Sequence, residues 1–305
     1  MNLIRRLVSI ALALVLIITL SSAFIRLSQS GLSCPDWPAC YGAQAGTPAG
    51  ALSEESPVFF ARVLHRLAAS VAGVLLLVIA VLGWHRWRSD SRRAVAVVLV
   101  VLAALLAWLG KYTPSTLPAV MLGNLLGGMA LLGLLAWLRQ SAAGGEAPQT
   151  RPRLWILVAM ALVALQIAVG GLIGARHAAL ACTGLPGCGG GFWPHGADWR
   201  AFDPFLANDG LGDASRQALH LAHRLGALLL AALLAWIGWR EARLRGERLG
   251  IALLVLIAVQ IVLGAAMLLA GFPVALAVAH NAVASLVLIV LASMLPRLRP
   301  EEKRQ

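Results

Sequence analysis

VLHRLAASVAGVLLLVIAV, residues 63–81, and LAHRLGALLLAALLAW, residues 221–236, decide the fold. Each is a long apolar run with a histidine-arginine pair near its start, His65-Arg66 in the first and His223-Arg224 in the second. A titratable or charged side chain inside a membrane span is costly, so one that is kept there marks a function. The two runs lie in two halves of a chain that repeats its own layout.

Working outward, the chain has 305 residues, 60% hydrophobic and 12% charged, with mean hydropathy +0.82. That is the composition of a polytopic membrane protein and excludes a soluble enzyme of ordinary make-up. A helix crosses the hydrocarbon core in about 20 residues at ~1.5 Å rise per residue. Eight stretches qualify: Leu7–Ile25, Val58–Gly83, Arg93–Gly110, Pro118–Leu138, Leu154–Ala175, Gln217–Trp239, Leu249–Ala270 and Val274–Leu295. The expected fold is an all-α integral membrane protein whose eight transmembrane helices form two pseudo-symmetric four-helix bundles. The first stretch, after Arg5-Arg6 and before Ser21-Ser22-Ala23, also has the outline of a signal peptide. It is longer than the usual apolar region of such peptides, and retaining it gives each half four helices.

The net charge of +12 suggests nucleic acid only until its placement is read. Seventeen of the 25 Lys and Arg lie at the N-terminus, in the loops after spans two, four and six, and in the C-terminal tail, among them Arg86, Arg88, Arg92, Arg93, Arg240, Arg243, Arg245 and Arg248. The positive-inside rule makes these segments cytoplasmic, with both termini inside. Trp84, Trp87, Trp137, Trp155, Trp236 and Trp239 fall at the same boundary, as an aromatic belt does. The basic excess is a topology signal, and membrane lipid, not nucleic acid, is the expected neighbour of this face.

The opposite loops hold all four cysteines. Cys34 and Cys40 stand in the first, Cys182 and Cys188 in the fifth, each pair with five residues between and the pairs offset by 148 residues. Equal spacing in equivalent loops marks an internal duplication, with units at about 1–145 and 146–305 joined by the Gly- and Pro-containing stretch 140–153. The cysteine loops are expected on the extracytoplasmic side, where disulfides persist. A disulfide within each loop is the leading reading. Zinc fits less well, because each loop supplies only two thiols; a redox-active role is the third option.

Of seven histidines, His85, His195 and His177 read as surface or interface residues. His65, His223 and His280 each lie about 10 Å along their spans from the outer end, by rise per residue. Two histidines at one level on the sixth and eighth spans can hold a heme iron from both faces inside a four-helix bundle. Arg66 and Arg224 are placed to meet carboxylates of such a ligand. The first-half position level with His280 is Asn124, a poor iron ligand, so that site has one strong ligand, His65. Met121 is a substitute ligand or packing, and Gly123, Gly127 and Gly128 either flatten a face for a planar ligand or allow close helix packing. His220, one turn outward of His223, and its counterpart Arg62 could contact carboxylates of the ligand or line the entrance; neither is placed as an axial ligand if His223 is one.

GLSCPDWPAC, HRLAASVAG, LPAVMLGNLLGGM, AALACTGLPGC, HRLGALL and PVALAVAHNAVASLVL together resemble the heme A synthase family, over essentially the whole chain. The resemblance implies a bacterial plasma-membrane oxidoreductase that oxidises a ring methyl of heme O to the formyl of heme A, for terminal oxidases. It implies heme O as substrate in the N-terminal half and a bound heme b in the C-terminal half, ligated by His223 and His280, with His65 at the substrate site. A heme O synthase and oxidase assembly factors are the partners it implies; homo-oligomer formation is left open. Two positions depart from the family pattern. Asn124 replaces the second first-half histidine, and Arg62 replaces an acidic residue; Glu54 and Glu55 lie just upstream. A heme-binding paralogue without the activity and a b-type electron-transfer protein are the rival readings.

Overall fold

A computed structural model describes residues 2–29, 56–87, 90–110, 117–142, 153–182, 184, 187–188, 194–206, 211–245 and 248–297. Among them are eight long helices: α1 (Asn2–Gln29), α2 (Pro57–Arg86), α3 (Asp90–Gly110), α4 (Pro118–Ser141), α5 (Arg153–Ala175), α6 (Asp213–Arg245), α7 (Arg248–Leu269) and α8 (Val274–Met294). All eight are long and apolar enough to cross a membrane. They match the eight stretches expected from hydropathy, with α1 and α6 each running several residues further at both ends and α2 three further at its C-terminal end. The extra turns carry most of the flanking polar and charged residues, with Ile4 and Leu27 of α1 still buried among the neighbouring helices.

Neighbouring helices close two rings. In one, α1 packs on α2, α2 on α3, α3 on α4 and α4 on α1; in the other, α5, α6, α7 and α8 do the same. The rings meet where α4 lies against α8, α1 against α8 and α4 against α5. Buried Val8, Ala11, Val15, Leu132, Leu135 and Leu291 form the shared core. At its centre the Ser285 hydroxyl donates to Met129 Sδ at 3.4 Å, and both residues are buried. Ser285 follows Met129 by 156 residues, the interval from Asn124 to His280. Outward faces such as Val71, Val74 and Leu77 are exposed and apolar, which suits lipid rather than water.

Local chemistry sets the helix starts that carry the key histidines. Ser56 caps α2, its hydroxyl accepting from Phe59 N–H at 3.1 Å, and Pro57 occupies the first turn, where no N–H is needed. The α7–α8 turn is tight. Gly271 and Phe272 both have positive φ, 72° and 61°, and the Phe272 amide returns to Met267 O at 2.7 Å. Left-handed backbone is costly for phenylalanine. Burial of its ring, edge-on to His220 at 5.7 Å, holds it there and fixes where α8 begins.

The basic ends gather on one side. Arg139 Nε donates to Ser9 Oγ at 2.9 Å and Arg92 to Ser141 O at 2.5 Å. Arg93 lies over the Trp84 ring and Arg240 over Trp236, while Trp155 meets Trp236 edge-on at 5.6 Å.

Candidate functional site

His223 on α6 and His280 on α8 belong to helices that do not pack as neighbours; they stand across the second ring from each other. Each is flanked by a glycine on the preceding helix. A Cβ on Gly170 of α5 would stand 3.0 Å from His223 Cε1, and one on Gly264 of α7 would stand 3.4 Å from His280 Cε1. Both rings therefore occupy slots that a larger residue would fill. His280 Nδ1 is buried without a hydrogen-bond partner. Two half-buried imidazoles on diagonal helices of one ring are side chains of the kind that hold a heme iron.

His223 has a partner that the histidine pattern did not reveal. The Gln166 amide on α5 donates to the His223 carbonyl at 2.7 Å, and its nitrogen lies 3.0 Å from His223 Nδ1. Gly226, one turn on from His223, makes room: a Cβ there would approach Gln166 Oε1 to 2.6 Å. The sequence did offer a signal, an amide inside an otherwise apolar span.

The Arg224 guanidinium donates from Nη1 to Gly184 O at 2.7 Å and Gly187 O at 3.3 Å, and from Nη2 to Cys182 O at 3.0 Å. The side chain expected to meet carboxylates of a ligand is thus engaged by the carbonyls of the cysteine loop. That loop is closed by the Cys182–Cys188 disulfide, as expected. Cys34 and Cys40 lie outside the described residues, as do Glu54 and Glu55.

At the same end of the bundle, Arg176 is buried and donates to Asp203 O at 2.5 Å and Arg200 O at 3.4 Å. Burial lowers its guanidinium from the ordinary value, and the Asp203 carboxylate works the other way. The Asp198 carboxyl is held below its ordinary value by the Arg200 backbone N–H and then by the Arg200 side chain, at 2.9 and 2.6 Å. Pro204 of this segment accepts from Ala119 N–H at 2.8 Å, so the second half caps the first turn of α4. His220 is buried beside Phe272, with its Nδ1 unpartnered. His177 adopts a positive φ of 55° at the end of α5, and His195 is exposed.

The first ring differs. His65 on α2 and Asn124 on α4 again come from diagonal helices and are half-buried, Arg62 is half-buried, and Arg66 is exposed. Gly123 and Gly127 face α3: a Cβ on either would meet Leu109 at 2.7 Å or Leu106 at 2.5 Å. These two glycines bring helices together; they do not flatten a ligand face. Gly128 faces Thr19 of α1.

The model of a family described as cytochrome oxidase assembly protein, COX15-CtaA, matches residues 5–292. The chain belongs to that family. Among its relatives, a protein named heme A synthase from Shewanella oneidensis is 32% identical over 94% of both chains. Proteins of the same name from a Methylobacterium and a Bradyrhizobium are 29% and 28% identical, covering 93% and 97% of this chain and 89% and 91% of their own. Membership and the eight apolar helices make this a multi-pass membrane protein.

Proposed function

We propose that the protein is a heme A synthase: it takes heme O as substrate and oxidises a ring methyl to a formyl group. The observation that carries this is the match to the cytochrome oxidase assembly family across residues 5–292, shared with relatives named heme A synthase along nearly their whole length. In this reading residues 146–305 hold a heme b cofactor and residues 1–145 receive the substrate. His223 and His280 would hold the cofactor iron, which when bound would supply one-electron transfer. The flanking glycines Gly170 and Gly264 keep the two imidazoles free to meet one plane.

His65 holds the substrate iron from one face. Asn124 offers no strong ligand on the other, so the iron keeps an open position, and Arg66 is exposed and free to meet a carboxylate of the substrate. The basic ends, gathered on one side, face the cytoplasm of a bacterial plasma membrane; the cysteine loops face outward, with Arg224 tying the second one down. Heme O synthase is the natural supplier and oxidase assembly the natural destination.

A second reading is favoured by Arg62 and Asn124. In it the chain binds heme without oxidising it. Expression in a strain that makes heme O but lacks heme A separates the two by pigment chromatography: heme A appears under the first reading and is absent under the second. Loss of the six-coordinate b-type spectrum in His223→Ala and His280→Ala checks the ligand pair.

A further inference from the structure

Two segments of the second half share a pattern: QIAVG at residues 166–170 on α5 and QIVLG at residues 260–264 on α7. Each ends in the glycine that lies against a histidine ring, Gly170 under His223 and Gly264 under His280. The two rings present the same edge to their glycines. From the Cβ position of Gly170, His223 Cε1 is at 3.0 Å and Nδ1 at 3.5 Å; from Gly264, His280 Cε1 is at 3.4 Å and Nδ1 at 3.8 Å. In each segment the glutamine stands one helical turn inward of its glycine. Gln166 already holds His223. Gln260 Oε1 and His280 Nδ1 are both buried without a partner. Burying two such groups unpaired is costly, and each is what the other lacks.

We propose that Gln166 and Gln260 are the positioning residues of the two histidines, one amide for each ring, and that Gln260 Oε1 accepts the Nδ1 proton of His280 when Nε2 of that ring is given to iron. This rests on the reading of His223 and His280 as axial ligands. A histidine that ligates through Nε2 carries its proton on Nδ1, and an acceptor for that proton fixes the ring plane and raises the basicity of the ligand. An amide suits the task because it serves either tautomer: its nitrogen donates to a bare Nδ1, and its oxygen accepts from a protonated one. The described spans of α1 and α3, which stand in the first ring as α5 and α7 do in the second, lack the device. Among the described residues of α1 and α3, no glutamine lies between Arg5 and Arg26 or between Asp90 and Gly110. A resident cofactor gains from ligands locked in place; a substrate that must leave does not.

The test uses the full chain, purified in detergent with the heme it acquires in the cell. Gln166→Leu, Gln260→Leu, Gln166→Glu and Gln260→Glu are compared with wild type and with His223→Ala. The readouts are the g-values of the ferric low-spin signal, the midpoint potential, and the rate of heme loss to apomyoglobin. The leucine variants are expected to lose heme about 10- to 100-fold faster, the scale for outer-shell partners of metal ligands. They should also shift the largest g-value and raise the potential. The glutamate variants, which keep size and an acceptor, should retain heme and lower the potential. Wild-type g-values, potential and retention in all four, beside a His223→Ala that has lost its six-coordinate spectrum, overturn this inference alone. A His223→Ala that keeps that spectrum overturns the ligand reading beneath it, and this inference with it.

Discussion

Gly170 lies directly beneath His223: a Cβ added to it would stand 3.0 Å from the imidazole Cε1. The corresponding separation for Gly264 and His280 is 3.4 Å, an ordinary van der Waals contact. The two slots are alike in form and unequal in tolerance.

Gly264→Ala is therefore expected to leave the heme spectrum unchanged, whereas Gly170→Ala must move the His223 ring by a few tenths of an ångström. Gly170→Val should lower heme occupancy several-fold while the protein still elutes as a folded species. Heme-to-protein ratios from pyridine hemochrome spectra check all three, and equal occupancy in Gly170→Val and wild type would refute the slot.

Asn124→His should complete the first ring's set of ligands. The expected result is additional low-spin six-coordinate heme in difference spectra. An Asn124→His protein with the wild-type spectrum would show that position 124 does not face an iron held by His65.

Arg224→Ala removes three hydrogen bonds to carbonyls of the disulfide loop. Hydrogen bonds to a charged group contribute roughly 1.5–3 kcal/mol each when buried and less at a partly exposed site, so about 2 kcal/mol in total is a fair expectation. Amide exchange at residues 182, 184 and 188 should quicken and the disulfide should reduce faster with added thiol, both at unchanged exchange in α5. Unchanged exchange in the loop would mean that Arg224 does not hold it.

The Asp198 carboxyl, depressed in the folded chain by Arg200, stabilises the short turn Trp199–Phe202 while it is ionised. A depressed carboxylate contributes fully above its unfolded value, near 3.8, and the contribution is lost as pH falls through the lower folded value. Exchange in residues 198–203 should therefore rise only below about pH 4, and Asp198→Asn should raise it at neutral pH and flatten the dependence.

Much of the fold was legible because a membrane imposes a simple rule: apolar runs of spanning length become helices, and α1 to α8 follow them. The cysteine spacing announced the Cys182–Cys188 bridge, and the apolar runs placed His223 and His280 on α6 and α8 of one ring. What stayed hidden depended on side chains meeting across helices. Arg224 faces loop carbonyls whose positions depend on backbone turns that no residue type specifies. Gly123 and Gly127 could serve a ligand or a neighbouring helix, and only the rotation of α4 places Leu106 and Leu109 against them. Gln166 and Gln260 carried a repeated signal, polar amides one turn from a glycine, but histidine chemistry drew the reading to the other helix of each pair.

The contact between Met129 and Ser285 has a mechanical consequence. It joins α4 of one ring to α8 of the other through buried side chains, at the seam where the two rings meet. A close-packed interior passes a change of volume on to its neighbours instead of absorbing it. A larger or smaller side chain at either position is therefore felt in both rings, and neither ring can be repacked alone.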